Sequence, residues 1–325
     1  MIELALKHSD VARVRFAQSP VAQLMPSLRV LQDRSRHHMY RRWLAAVAGR
    51  LDGVRMDLLT ALEPAGPYVP DFLAPAPVGA DRALADELAT VAETDPSIVR
   101  RELDQLFNRR PVPPVLRPLY EDPARHLPRV VEEMDRYWRV AIEPVWPRIR
   151  ALGLADVAFR LEQFAFGGVS LLLSELNHEL RFEAERIVIR RSVNVRAKLG
   201  GRGLVLVPSA FVWPGVMVTA SDEYQGLVYY PARGLADIYE EPPQGQAHSL
   251  NALVGRTRAT LLATLRLPLT TTELAAHLDM SPAAVSQHLK ILKGAELVAS
   301  RRQGRAVLYQ RTTVGTTLLG IPADQ

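Results

Sequence analysis

Cysteine is absent from all 325 residues. This excludes disulfides, thiolate metal sites and thiol redox switches together. No run of about 18 apolar residues occurs, so no transmembrane helix is expected. The first residues, MIELALKHSD, lack the basic start and apolar core of a secretory signal. Also missing are a Gly-x-Ser-x-Gly elbow, a phosphate-binding loop and a dinucleotide fingerprint. Gly200-Gly201-x-Gly203 opens no helix and reads as a hairpin turn. The eight histidines have no metal-ligand spacing. His37 and His38 are adjacent and would point about 100° apart on a helix. These absences predict a cytoplasmic protein that is not an enzyme, needs no cofactor or metal, and has no membrane partner.

Charge is unevenly placed. The net charge is +5. From His248 to the end there are nine Lys/Arg against four Asp/Glu, so the whole excess sits in the last quarter of the chain. That is the footprint of a phosphate-binding surface, attached to a neutral remainder with a different task.

The stretch TTELAAHLDMSPAAVSQHLKILKGAELVASRRQGRAVLYQR, residues 271–311, explains the excess. Thr271 can cap a short helix over 272–278. Ser281 is an N-cap with Pro282 in the first turn, where its missing N–H costs nothing. The helix that follows, 282–295, carries Val285, Leu289 and Leu292 on one face. Ala283, Ser286, Gln287, Lys290 and Lys293 lie on the other. Runs 297–302 and 305–310 are extended, joined at Gln303-Gly304. Helix, tight turn, helix and basic hairpin is the order of a winged helix-turn-helix. A helix in the major groove needs small or hydrogen-bonding residues outside, and Ser286 and Gln287 meet that need. Arg301, Arg302 and Arg305 surround a glycine tip suited to phosphate or minor-groove contact. The candidate DNA-binding set is Thr271, Thr272, Ser281, Ala283, Ser286, Gln287, His288, Lys290, Arg301, Arg302, Gln303 and Arg305. For His288 a phosphate contact and a packed ring weigh equally.

Residues 249–311 resemble the DNA-binding domain of the arsenical-resistance-repressor (ArsR/SmtB) family. The resemblance rests on LVGRTRATLLATL at 253–265, TTTELAAHLDMSPAAVSQHLKILKGAELV at 270–298 and RRQGRAVLYQ at 301–310. Less specifically, it extends to a long N-terminal region in a group of actinobacterial regulators, including FAQSP at 16–20. It implies a homodimeric repressor on double-stranded DNA. Two departures stand out. The family usually has glycine where Glu296 stands; if that position needs positive φ, Glu costs about 1 kcal/mol, and a helix end shifted to Gly294 is the alternative. The cysteines or histidine-bearing terminal helix of metal-sensing members are absent, so a metal is not the expected signal. A small molecule or protein acting on the N-terminal region is the candidate effector, and no effector is the alternative.

The expected fold class is α+β and mostly helical: an N-terminal helical region (1–180), a small antiparallel sheet (181–230), a linker (231–248) and the winged helix (249–325). Short strands are expected at 2–7 and 11–16, the second of which could be a helix. Helices are expected at 20–32, 38–51, 81–92, 95–108 and 122–152, kinked at Pro144 and Pro147. Others are expected at 155–166, at 169–176 after Gly167-Gly168, and at 249–265. RIVIRR, GLVLVP, GVMVTA and GLVYYP supply the sheet. The basic cluster Arg29, Arg34, Arg36, Arg41 and Arg42 is expected to be a solvated face partly paired with acids. Glu132, Glu133 and Asp135 are expected as a solvated stripe, and the aromatics Tyr137, Trp138, Trp146, Phe159, Phe164 and Phe166 as core. The competing functional reading is a protein-interaction module that uses its winged helix, with the N-terminal region as main surface; the arginines of the hairpin weigh against it.

Overall fold

The structure is a computed structural model describing residues 1–33, 38–64, 68–79, 82–108, 110–183, 185–191, 193–222, 224–235, 254–265, 268–278, 280–303 and 306–318. The chain divides into two compact units, Met1–Trp146 with Asp156–Leu235, and Pro147–Ala155 with Ala236–Gln325.

The first unit begins with β1 (Ile2–Ala5), α1 (His8–Val11) and β2 (Val14–Phe16). Helices α2 (Val21–Gln32), α3 (Arg41–Ala48), α4 (Asp57–Leu62), α5 (Leu84–Ala92), α6 (Pro96–Phe107), α7 (Arg117–Glu121) and α8 (Pro123–Tyr137) follow. A π turn at Trp138–Ile142 and a 3-10 turn at Glu143–Val145 lead into α9 (Trp146–Ser174). The expected kinks at Pro144 and Pro147 fall at this junction. Gly168, at φ 63 and ψ −162, breaks α9 where Gly167-Gly168 was expected to. By length and apolarity Pro123–Ser174 could cross a membrane, with a mean hydropathy of 1.2 over its best 18 residues. The π turn and Gly168 interrupt it, so it is not one continuous helix. Helices α4 and α7 were not expected; at six and five residues they are too short for periodicity to betray them.

Strands β3 (Leu180–Glu183), β4 (Arg186–Ile189), β5 (Val195–Lys198), β6 (Leu204–Ser209), β7 (Met217–Thr219) and β8 (Gly226–Pro231) complete the unit. They form two sheets, in the orders β3-β4-β1-β5 and β2-β6-β8-β7. The sequence pattern suggests one antiparallel sheet, but both sheets are mixed: β1 pairs parallel with β5, β2 with β6, and β6 with β8. The N-terminal strands are the main cause. They insert beside strands nearly 200 residues later, and such pairing leaves no local turn signal. Likewise Gly200-Gly201-x-Gly203 is not a hairpin turn. It joins β5 of one sheet to β6 of the other. All three glycines have positive φ, and the Gly203 N–H donates to Asp10 Oδ1 at 2.8 Å. The β6 and β8 side chains are almost wholly buried, explaining their uninterrupted apolar sequence.

Buried carboxylates tie this unit together. Glu87 on α5 accepts the Ser19 hydroxyl and the Val21 N–H, both at 2.9 Å, at the start of α2. Glu133 on α8 accepts the Leu58 and Leu59 N–H groups at 3.0 and 3.1 Å, capping α4. Glu133 is thus buried and not part of a solvated stripe. Arg29 pairs with buried Glu63 at 2.6 Å, as expected of the basic cluster; 34–37 lie outside the described residues. Of the expected aromatic core, Tyr137 and Trp138 are buried, and Trp138 meets Trp146 edge to face at 5.2 Å. Phe164 and Phe166 are 47% and 90% exposed, so they are not core.

The second unit contains α10 (Arg256–Thr264), β9 (Leu269–Thr270), α11 (Thr271–Leu278), α12 (Pro282–Gly294), β10 (Val298–Gln303), β11 (Ala306–Arg311) and α13 (Thr313–Leu318). Leu261, Leu262, Leu265, Leu274, Val285, Leu289, Leu292 and Leu297 form its core. Within this unit α12 rests on α10 and α11, and a three-stranded sheet of order β10-β11-β9 flanks it. Of the helix expected at 249–265, residues 249–253 lie outside the described residues.

Candidate nucleic-acid interface

The helix-turn-helix is built by local caps. Thr270 begins α11 with a reciprocal pair: its N–H and hydroxyl meet Glu273 Oε2 at 2.7 and 2.8 Å, and the Glu273 N–H returns to Thr270 Oγ1 at 3.2 Å. Thr270, not Thr271, is therefore the cap. Three consecutive threonines are equivalent as candidates until the glutamate three residues on selects the first. Arg150, from the part of α9 that groups with this unit, lies 3.9 Å from Glu273. The turn after α11 closes with Met280 N–H on Ala275 C=O at 3.0 Å. Ser281 then caps α12, its hydroxyl oxygen accepting the Ala284 N–H at 3.2 Å, with Pro282 in the first turn.

These caps fix the rotation of α12. Val285, Leu289 and Leu292 are buried, while Ala283, Ser286, Gln287 and Lys290 are exposed in a stripe at three- and four-residue spacing. Small and hydrogen-bonding groups thus occupy the free face, with a cation at each of Lys290 and Lys293. Lys293 Nζ also donates to Ser300 Oγ at 2.6 Å, joining α12 to β10. His288 lies on the flank, half-buried, and its Nδ1 is enclosed without a hydrogen-bond partner among the described residues. That favours the packed ring over a freely presented phosphate contact.

The end of α12 is a Schellman turn. The Glu296 N–H reaches Lys293 C=O and the Leu297 N–H reaches Leu292 C=O, both at 3.0 Å. Leu292 and Leu297 are buried together beneath it. Such a turn needs a left-handed residue, and Glu296 supplies it at φ 58. Gly294 does not take over this role; it remains inside the helix. The strain is held by neighbours. Thr312 donates its N–H to Leu297 C=O at 3.0 Å and its hydroxyl to Glu296 C=O at 2.7 Å. Gly315 of α13 packs so closely that a Cβ there would come 2.3 Å from Leu297 O.

The hairpin pairs Arg301 with Leu308 and Arg302 with Val307, in a register that carries Gln303 opposite Ala306. The strands therefore lie one residue later than sequence suggests, and Gln303 belongs to β10 instead of the turn. Arg301 and Arg302 are exposed. The Gln303 side chain, Gly304 and Arg305 lie outside the described residues. Thr272 is exposed at the start of α11, and Thr271 is half-buried beside it. The twelve candidates thus divide: Ser281 acts as a cap, His288 is half-buried, and an exposed set lies on the start of α11, on α12 and on β10. Among the described residues no group of three or more His, Asp or Glu could hold a metal.

Residues 260–300 match the bacterial regulatory protein family of arsR type. Residues 1–108 and 92–236 match a family of unknown function, DUF5937. Over 75 residues the chain is 41% identical to the HTH-type transcriptional regulator Rv2034 of Mycobacterium tuberculosis, covering 23% of this chain and 70% of that protein. Among solved structures, a possible transcriptional regulator for arsenical resistance is 33% identical, covering 23% of this chain and 77% of its own, with a TM-score of 0.19. A point mutant of ZitR from Lactococcus lactis is 24% identical over 25% of this chain and 52% of its own, with a TM-score of 0.16.

Proposed function

Because the chain belongs to the arsR-type bacterial regulators through its C-terminal unit and to the DUF5937 family through residues 1–236, we propose that it is a sequence-specific repressor acting as a homodimer on an inverted-repeat operator. The observation that carries this reading is the free face of α12. Ala283, Ser286, Gln287 and Lys290 are exposed on a helix whose opposite face is locked into a leucine core and whose both ends are capped.

In the groove, Ala283 and Ser286 would let the backbone approach the bases. Gln287 would pair with the N6/N7 edge of adenine, and Lys290 would meet the flanking phosphates. Arg301 and Arg302, exposed on β10, would add phosphate contacts at the wing. One such unit reads one half-site. A second copy related by a two-fold axis would read the other, about one helical turn away. Occupancy then excludes polymerase, and a signal received by the N-terminal unit would alter the pairing of the two recognition helices. The exposed wing arginines favour DNA over a protein partner for this face.

Selection of bound duplexes from random DNA by the full-length protein, followed by footprinting, tests the reading. The expected product is two inverted half-sites about 10 base pairs apart, centre to centre. Recovery of no common sequence would overturn it.

A further inference from the structure

We propose that the first unit carries a binding cavity for a small organic cation, an amine on a compact apolar body. A cavity of about 290 Å³ opens between the segment around the 3-10 turn Asp71–Leu73, the link from α5 to α6, and the β7–β8 end of the second sheet. Phe72, Ile98 and Leu227 supply apolar walls, while Asp71, Glu93 and Asp95 supply its charged groups. No lysine or arginine is among the lining residues.

The acid end is built and not incidental. Behind half-buried Asp71 lies a fully buried carboxylate, Glu102, whose Oε2 accepts the Phe72 N–H at 2.9 Å and whose Oε1 accepts the Tyr224 hydroxyl. Asp71 itself is hydrogen-bonded by Thr219, and both Tyr224 and Thr219 line the cavity. Burial first, and then the neighbouring Glu102, push the Asp71 carboxyl up to about 7. Neighbouring carboxylates, one buried and one at the cavity wall, repel, and a cation placed against Asp71 relieves that repulsion. Arg101 offsets part of the Glu102 charge, and Arg15 is engaged with the Pro77 and Gly79 carbonyls and with Gln225; neither lines the cavity, so among the described residues its Asp71 face holds no protein cation. A metal ion fits poorly, since no three-ligand group exists among the described residues. The volume lies just under the usual range of about 300–1,000 Å³, which restricts the occupant to roughly a single-ring amine.

The cavity lies wholly within the first unit, so binding does not depend on the DNA reading; only its effect on DNA affinity rests on that reading. The test titrates full-length protein calorimetrically with phenethylamine, 2-phenylethanol and phenylacetate. Phenethylamine should bind saturably, at least about tenfold more tightly than the alcohol, and the carboxylate should not bind. Asp71→Asn should weaken the amine by about tenfold or more, and Ile98→Trp should abolish binding by filling the cavity. No saturable binding of the amine, or equal binding of amine and alcohol in the wild type, would overturn the proposal even if a variant failed to fold. A parallel DNA titration separates the readings. Amine binding with unchanged DNA affinity removes the effector role alone, and failure to bind DNA leaves the cavity intact.

Discussion

The two units satisfy the free N–H groups at the starts of their helices in different ways. In the winged-helix unit the side-chain partners seen among the described residues are close in sequence: Glu273 for Thr270, Ser281 for Ala284, Thr312 for Gly315. In the first unit the partner is often remote and buried: Glu87 serves the start of α2, Glu133 the start of α4, and Glu102 the 3-10 turn at Phe72. Local caps place a helix on a surface that must stay free. Remote caps weld helices into a body, and each welds through a carboxylate that becomes a liability if its partner moves.

Perturbing each unit separately sharpens this contrast, and the four tryptophans help. Trp43, Trp138, Trp146 and Trp213 all lie in the first unit, so their fluorescence reports that unit alone. The largest effect is expected from Leu289→Ala, which empties the centre of the second core and should cost about 2–5 kcal/mol. DNA binding and part of the far-UV circular dichroism should be lost, while the tryptophan transition stays in place. A shifted tryptophan midpoint would mean that the two units unfold together.

The next effect is in pH. Burial, offset by Arg29, pushes Glu63 up to about 7. Its folded value is above its unfolded one, so its contribution to stability is full below about pH 4.5 and is lost as pH rises through 7, by on the order of 2–3 kcal/mol. Glu63→Gln should flatten the dependence of the tryptophan midpoint between pH 5 and pH 8; an unaltered slope would remove Glu63 as its source. Remote and local caps can then be compared directly. Glu133→Ala strips the part-buried Leu58 and buried Leu59 N–H groups of their acceptor and should cost about 2–3 kcal/mol, against about 1 kcal/mol for Ser281→Ala. Equal losses in denaturant titrations would erase the distinction. Gln287→Ala should lose about 1–3 kcal/mol at one operator base pair and little elsewhere; a uniform loss over all sequences would exclude base reading. The smallest effect is a gain: Glu296→Gly, relieving positive φ, should stabilise the second unit by about 1 kcal/mol.

The same contrast explains what could be read before the fold was known. The second unit was legible because its signals are local: Ser281-Pro282 and the Val285–Leu289–Leu292 stripe. Its errors, Thr270 for Thr271 and a hairpin register later by one, are single-residue shifts. In the first unit α6 was legible from Asp95-Pro96 at its start, and α2 and α5 lie close to their expected spans. The mixed sheets were not, because β1 and β2 find partners nearly 200 residues away. Nor was the burial of Glu133, since nothing adjacent marks a carboxylate that caps another helix. The cavity at Asp71 draws its walls from segments about 150 residues apart, beyond any local pattern.

The central claim is that the exposed face of α12 and the wing read DNA sequence. Fluorescence polarisation of the full-length protein on DNA from upstream of its own coding region, at two salt concentrations and against random competitor, tests it most directly. Saturable binding that survives competitor, with a salt slope that flattens in Arg301→Ala and Arg302→Ala, is the predicted result. Absence of binding even at low salt would contradict the account.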